Sequence, residues 1–247
     1  MSVDSLCESL DLSKDGIAVV LNEADCESIK YLLSLKIPFV ALPENRGVLA
    51  IDYLLPFVEN SEYFVDTNDD MIFHKGFAED LISIIEKNYP CSASCTMVEN
   101  FFSNNPCVCD DDSLGDFYDE DSQRRFQENI KAGKYIRDKK IVSFTHPICV
   151  KSSDYLRVGG YSGGWDMDFF SGYGRDDMFP YMLSSLHKGN FKFIQSNRSF
   201  VFHASSATMG RMSEELKNQD GWGKFEEKTG VTVPEFRQSI NLFSAIN

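Results

Sequence analysis

Tyr63-Phe64-Val65-Asp66-Thr67-Asn68-Asp69-Asp70-Met71-Ile72-Phe73 is the stretch whose reading decides the fold. An apolar run of strand character stops in a polar, acidic patch, and apolar residues resume at once. A buried strand emerging at a sheet edge would set Asp66, Asn68, Asp69 and Asp70 together at its carboxyl end, where open α/β sheets bind ligands. Crowded carboxylates repel one another and call for a cation or a second partner. Oxygen ligands on a short turn suit Mg2+ or Mn2+, and those cations suit a diphosphate. The same residues also make an ordinary solvated Asp/Asn turn. The rest of the chain decides between the two.

Upstream, residues 16–21 read as a buried strand rich in β-branched residues, with Asn22 as cap of the helix that follows. Ile29, Leu32, Leu33 and Leu35 give that helix its apolar stripe. Residues 37–42 are a second strand, Pro43 to Gly47 a turn, and 48–58 a short apolar helix that Pro56 tightens or ends. Downstream of the acidic patch, 77–87 is a helix burying Leu81, Ile82, Ile84 and Ile85. Strand–helix alternation of this kind implies a mainly parallel sheet with helices on both faces. No Gly-x-Gly-x-x-Gly or Walker loop is present, so a bound nucleotide needs another hold on its phosphates. A metal at Asp70 is the obvious replacement.

Further on, 91–102 reads as another strand. Residues 103–122 crowd Asp110, Asp111, Asp112, Asp116, Asp119, Glu120 and Asp121 into an inserted, solvated loop. A helix over 123–135 carries Arg124, Arg125, Lys131 and Lys134, with Arg137, Lys139 and Lys140 beyond it. This one basic segment faces either the acidic loop or an anionic ligand. A strand over 140–150 and a brief helix over 152–157 lead to Gly159-Gly160-Tyr161, whose glycines allow a left-handed stop. Gly172-Tyr173-Gly174-Arg175-Asp176-Asp177 then opens a helix over 178–188. The helix dipole alone favours two aspartates there. With Trp165 and Tyr173 as flat faces for a sugar-like ring, the pair also suits an acid–base site. Strands over 191–195 and 199–202 end at His203, which is placed to complete a metal shell, and Arg211 to pair with a phosphate. The tail from 214 to 247 keeps a helical pattern around Phe225, Phe236, Ile240 and Phe243.

Net charge is −14, which argues against a sequence-independent hold on nucleic acid or anionic membrane. No apolar run approaches the roughly 18 residues that span a bilayer, and residues 1–12 lack a secretion-signal pattern, so a cytoplasmic protein is expected. The seven cysteines form no Cys-x2-Cys pairs, and reduced thiols are expected over a zinc site on Cys91, Cys95, Cys107 and Cys109.

Taken in order, these pieces resemble a GT-A glycosyltransferase of the family-2 type over roughly residues 16–210. Asn45-Arg46-Gly47 resembles the Asn-x-Gly after the second strand. Asn68-Asp69-Asp70 resembles an Asn-x-Asp form of the Asp-x-Asp metal motif, with Asp66-Thr67-Asn68 as a second candidate. Gly159-Gly160-Tyr161 resembles a Gly-Gly-Phe turn. Residues 172–177 resemble the Gly-Trp-Gly-Gly-Glu-Asp segment of β-1,4-galactosyltransferase-like enzymes, with Arg175 and Asp176 where Gly and Glu stand there. His203 resembles the late metal or diphosphate histidine.

The resemblance implies an α/β, GT-A (Rossmann-like) fold with a mixed, mainly parallel sheet flanked by helices. It implies one domain over 1–247: a nucleotide-sugar half (1–100), the acidic insertion (101–122), an acceptor half (123–210) and a helical tail (211–247). Mn2+ or Mg2+ would be held by Asp70 with Asn68 or Asp66 and His203. Asn45, Arg46, Asp69, Arg211 and Trp165 would contact the donor. Asp177, or else Asp176, would deprotonate the acceptor, giving transfer with inversion. The acceptor is left open among glycan, protein, lipid and modified nucleic acid. The rivals are a nucleotidyltransferase-like metal enzyme and a non-catalytic sugar- or metal-binding protein.

Overall fold

The computed structural model describes residues 2–100, 105–163, 175–204 and 221–246, with the side chains of Arg175 and Asp176 excepted. After helix α1 (Ser2–Ser9), strand β1 (Val19–Leu21), helix α2 (Cys26–Leu35) and strand β2 (Phe39–Ala41) form a parallel βαβ unit with Val19 opposite Phe39. Both strands are half-buried rather than buried. Asp25, not Asn22, caps α2, because its carboxylate reaches the N–H groups of Glu27 and Ser28, each at 2.8 Å. Residues Gly47–Leu54 form a 3-10 helix and α3 (Leu55–Val58) follows. Pro56 sits at the start of α3, where its missing N–H is harmless, and so begins that turn rather than ending it.

The main sheet has eight strands among the described residues. They are β3 (Tyr63–Asp66), β4 (Met71–Phe73), β5 (Cys91–Glu99), β6 (Val108–Asp110), β7 (Lys140–Ile141), β8 (Ile148–Lys151), β9 (Lys192–His203) and β10 (Ala245–Ile246). The order is β10-β7-β9-β5-β8-β3, with β4 also on β9 and β6 also on β5. The pairings give β3, β5, β6, β9 and β10 one direction and β4, β7 and β8 the other, so the sheet is mixed around the long parallel pair β5–β9.

Alternation along the strands sorts the core into two faces. Cys149 of β8 joins Cys91, Ala93 and Cys95 of β5 under helix α4 (Phe77–Asn88), whose Leu81, Ile84 and Ile85 are buried there. Its neighbours Ile148 and Val150 point the other way. They pack with Phe193 against helices α6 (Ser152–Val158) and α7 (Arg175–Leu186) through Tyr155, Phe179 and Leu183. This is a helix–sheet–helix sandwich.

Three expectations change. The strand over 140–150 is split into β7 and β8, because Pro147 offers no N–H to a ladder and Ser143 turns the chain by bonding Thr145. The two late strands are one, β9, interrupted by an irregularity. The acidic insertion is not simply solvated. Its Leu114 and Phe117 are core residues, packed with Phe126 of helix α5 (Glu120–Lys131) and with Phe202. Asp111 is buried and takes hydrogen bonds from Lys134 Nζ (2.7 Å), the Tyr135 hydroxyl (2.6 Å) and Asn129 (3.0 Å). Arg137 binds the carbonyls of Pro106 and Val108. Of the two readings of the basic segment, these contacts favour the one in which it faces the acidic loop.

Helix α8 (Gly221–Thr229) and helix α9 (Val233–Ser239) come before β10, Phe225 and Phe236 packing on Met178 of α7. Among the described residues no helix is long and apolar enough to cross a membrane. All seven cysteines are free thiols, and burial pushes Cys91 and Cys95 up to about 12.

Candidate active site

The parallel pair β5–β9 brings Glu99 and His203 to the same carboxyl edge, since Val98 faces Phe202. Strand β4 then returns antiparallel along β9 with Met71 opposite His203, and the Asp70 carbonyl takes the Ala204 N–H at 2.9 Å. Asp70 and His203, distant in sequence, are therefore fixed by backbone pairing. Asp70 Oδ2 lies 3.6 Å from His203 Nε2, and Glu99 Oε1 lies 2.7 Å from His203 Nδ1. Burial works against a charged ring here, but the two carboxylates outweigh it, and the His203 pKa is pushed up to about 9.

Asp70 Oδ1 is buried and has no hydrogen-bond partner among the described residues. An orphaned carboxylate oxygen beside an imidazole is the donor chemistry that Mn2+ or Mg2+ accepts, and Glu99 on the far ring nitrogen is the outer partner a metal-bound histidine ordinarily has. The residues present fit such an ion. Among the described residues no group of three or more His, Cys, Asp or Glu side chains is arranged to hold a metal ion. A cation shared with substrate phosphates is usually held by only one or two protein carboxylates, with phosphate and water oxygens completing its shell. Glu99 escaped the sequence reading. Its signal is an acidic residue closing the apolar run Met97-Val98.

Asp66, expected as a metal ligand, does not join Asp70 and His203. Strand β3 ends opposite Ile148, and the buried Asp66 carboxylate meets His146 Nε2 at 3.1 Å. The same ring nitrogen lies 3.2 Å from the Tyr161 hydroxyl. The Tyr161 ring packs on Phe179 of α7, centroids 4.5 Å apart. A continuous series of contacts thus runs from the end of β3 to the helix carrying Asp176 and Asp177. Asn68 and Asp69 are exposed on the intervening turn, and the Asp69 carbonyl accepts from Ser2.

The Gly159–Gly160 turn has a partner that sequence reasoning missed. Asp52 accepts from the Tyr155 hydroxyl (2.7 Å) and from the N–H groups of Tyr161 (2.9 Å) and Ser162 (2.6 Å). Gly160 has φ +69°, and a Cβ there would stand 2.2 Å from Asp52 Oδ1. Only glycine fits. The 3-10 helix thereby clamps the start of the segment leading to Trp165. Trp165 and Arg211 lie outside the described residues, as does the side chain of Asp176.

Asp177 is fully buried, and Arg237 of α9 grips both of its oxygens, Nε to Oδ1 at 2.7 Å and Nη2 to Oδ2 at 2.8 Å. The Trp222 ring stacks on that guanidinium at 5.7 Å. This is the setting of an anchoring carboxylate. It differs from the open one expected of a proton acceptor. Asn45 and Arg46 are held at the end of β2 by Asn22, whose Oδ1 accepts the Arg46 N–H at 2.6 Å and whose Nδ2 reaches Asn45 Oδ1 at 2.9 Å. The Arg46 side chain pairs with Glu44 at the surface.

No protein-family model and no curated protein matches the chain. Solved structures do. S. aureus TarS 1–349 in complex with UDP-GlcNAc matches with a TM-score of 0.58 at 8% identity, over 96% of this chain and 65% of that one. GalNAc-T7 with UDP, GalNAc and Mn2+ matches with a TM-score of 0.55 at 13% identity, over 98% of this chain and 51% of that one. A further TarS 1–349 structure gives a TM-score of 0.54 at 9% identity, over 83% and 56%. The chain thus spans between about half and two thirds of the length of these structures. At such identities the likeness is one of fold, and the fold is the GT-A-like mixed α/β sheet flanked by helices.

Proposed function

We propose that the chain is a glycosyltransferase that moves a sugar from a nucleotide-sugar to an acceptor hydroxyl, with inversion and in the presence of Mn2+ or Mg2+. The observation that carries this is the Asp70–His203 pair, with its orphaned carboxylate oxygen, at the carboxyl edge of a GT-A-like sheet. The solved neighbours hold UDP-GlcNAc in one case and UDP, GalNAc and Mn2+ in another, which favours a uridine donor here. Bound to Asp70 and His203, with Asn68 on the same turn, the cation would neutralise the departing diphosphate. Glu99 orients the His203 ring. Asn45 and Arg46 border the donor from the end of β2, with Asp69, Trp165 and Arg211 as further donor contacts.

Asp176 takes the acceptor proton in this reading, and Asp177 anchors the first turn of α7 through Arg237. The acceptor oxygen forms its bond to the anomeric carbon as the bond to the diphosphate oxygen breaks, and the proton passes to the carboxylate. Residues 1–100 serve the donor and 123–210 the acceptor.

The test is incubation with UDP-sugars and Mn2+. Release of UDP, lost in Asp70→Asn and in Asp176→Asn, supports the reading. Release of pyrophosphate would make the chain a nucleotidyltransferase, and binding without turnover a sugar- or metal-binding protein.

A further inference from the structure

Strand β9 carries an irregularity that the proposed transfer does not use. Ser94 of β5 faces Gln195, but Thr96, two residues on, faces Phe200. Residues 196–199 are therefore looped out of the ladder. Such bulges re-aim side chains and recur next to binding sites. This one is fixed by buried polar groups. Thr96 donates to the Ser196 carbonyl at 2.7 Å, and Ser199 to the Phe77 carbonyl at 3.2 Å. Ser196 Oγ accepts the N–H groups of Arg198 (3.0 Å) and Ser199 (2.9 Å) and donates to Asp80. Thr96, Ser196 and Ser199 are all buried.

What the loop presents is Asn197 and Arg198, which line a cavity of about 290 Å3 with Asp80, Ser83 and Lys87 of α4 and Lys140 of β7. Lys87, Lys140 and Arg198 make no ion pair or side-chain hydrogen bond among the described residues. In a chain of net charge −14, with carboxylates in large excess, three cations and a single carboxylate around one cavity are an uneven distribution that asks for an anionic ligand. The carboxylate in the cavity, Asp80, is already bonded to Ser196. Asn197 Nδ2 already donates to the Arg137 carbonyl at 2.8 Å, and Ile84 adds an apolar wall. The guanidinium fork, the two ammonium groups and the Ser83 hydroxyl match a phosphoryl dianion, which offers several acceptor oxygens.

We propose that this cavity binds a phosphate group. It lies three to five residues back along β5 from Glu99, roughly 10–17 Å at about 3.3 Å per residue, on the α4 side of the sheet. The phosphate is either free or carried on a sugar phosphomonoester. The site stands whether or not the chain transfers sugars.

Titration of the full chain by calorimetry at constant ionic strength, without Mn2+ or nucleotide, tests it. The probes are inorganic phosphate and glucose 6-phosphate, with chloride as the blank. We expect saturable one-site binding, weakened roughly tenfold or more in Arg198→Gln and again in Lys87→Gln, and unchanged in Asp70→Asn. Both substituted cations are exposed, so the fold is not at stake. Tighter binding of glucose 6-phosphate assigns the ester, and equal or weaker binding the free ion. Absence of saturation at millimolar probe, or binding undiminished in Arg198→Gln, overturns the proposal.

Discussion

At the scale of single residues the candidate site turns on His203. Its ring is held by Glu99 on one nitrogen and Asp70 on the other, and its pKa rises from the ordinary 6.5 to about 9. A group whose folded pKa lies above its unfolded value adds stability that is complete below the unfolded pKa and lost as pH rises through the folded one. Metal-free protein should therefore lose resistance to urea between pH 6.5 and about 9, and Glu99→Gln should flatten that loss. A cation at Nε2 displaces the proton. Mn2+ binding near pH 7.5 should then release about one proton, read by calorimetry in buffers of different ionisation enthalpy. Asp70→Asn should weaken Mn2+ binding by roughly 10–100-fold or more while leaving the circular-dichroism spectrum intact. Asp70 and His203 were legible in the sequence because each breaks an apolar run at a strand end. Glu99 was not, because its meaning depends on β5 and β9 being parallel neighbours.

At the scale of elements, the acidic insertion shows why composition misleads. Residues 110–121 read as a solvated charge run, yet Asp111 is a buried acceptor and Leu114 and Phe117 are core. The missing information is spatial: the counter-charge of Lys134 and the hydrogen bond from the Tyr135 hydroxyl come from beyond α5. Burial alone would raise the Asp111 pKa. The bonds from Lys134, Ser113 and Tyr135 outweigh it and bring it to about 2. A depressed carboxylate adds stability that is present above its unfolded pKa and lost as pH falls through its folded one. Acid unfolding should show a component between pH 4 and about 2 that Asp111→Asn removes. That variant should lose about 1–3 kcal/mol at neutral pH, since Lys134 and Tyr135 lose a charged acceptor. The Gly159–Gly160 turn is the opposite case. The glycine pair marked the helix stop, and the helix does stop there. What the sequence hid is Asp52, distant in sequence, which leaves no room for a Cβ at Gly160. Gly160→Ala should destabilise by about 2 kcal/mol or more, a left-handed backbone and a steric clash acting together, measurable by chemical denaturation.

At the scale of the whole molecule, the proposed transfer requires the sheet to bring two walls to one cleft. In that proposal the donor wall would be the edge carrying Asp70 and His203, and the acceptor wall would begin at the first turn of α7. Between them run Asp66, His146, Tyr161 and Phe179, each touching the next. Two of these, His146 and Phe179, lie outside the motifs that carried the resemblance, and one, Asp66, was assigned to the metal. The two roles of Asp66 make different demands. As a ligand it would set metal affinity. As the end of a packed series it sets where α7 stands relative to the sheet, and misplacing a reacting group by about 1 Å costs on the order of a hundredfold in rate. His146→Ala separates them. It removes the link from Asp66 to Tyr161 and leaves Asp70, Glu99 and His203 untouched. The expected result is a kcat lowered roughly 10–100-fold, with Mn2+ and UDP affinities within about twofold of the parent chain. Tyr161→Phe, which keeps the ring against Phe179 but removes the hydroxyl, should fall between the two. Should Mn2+ affinity fall in step with kcat in His146→Ala, Asp66 belongs to the metal after all and the series is only packing.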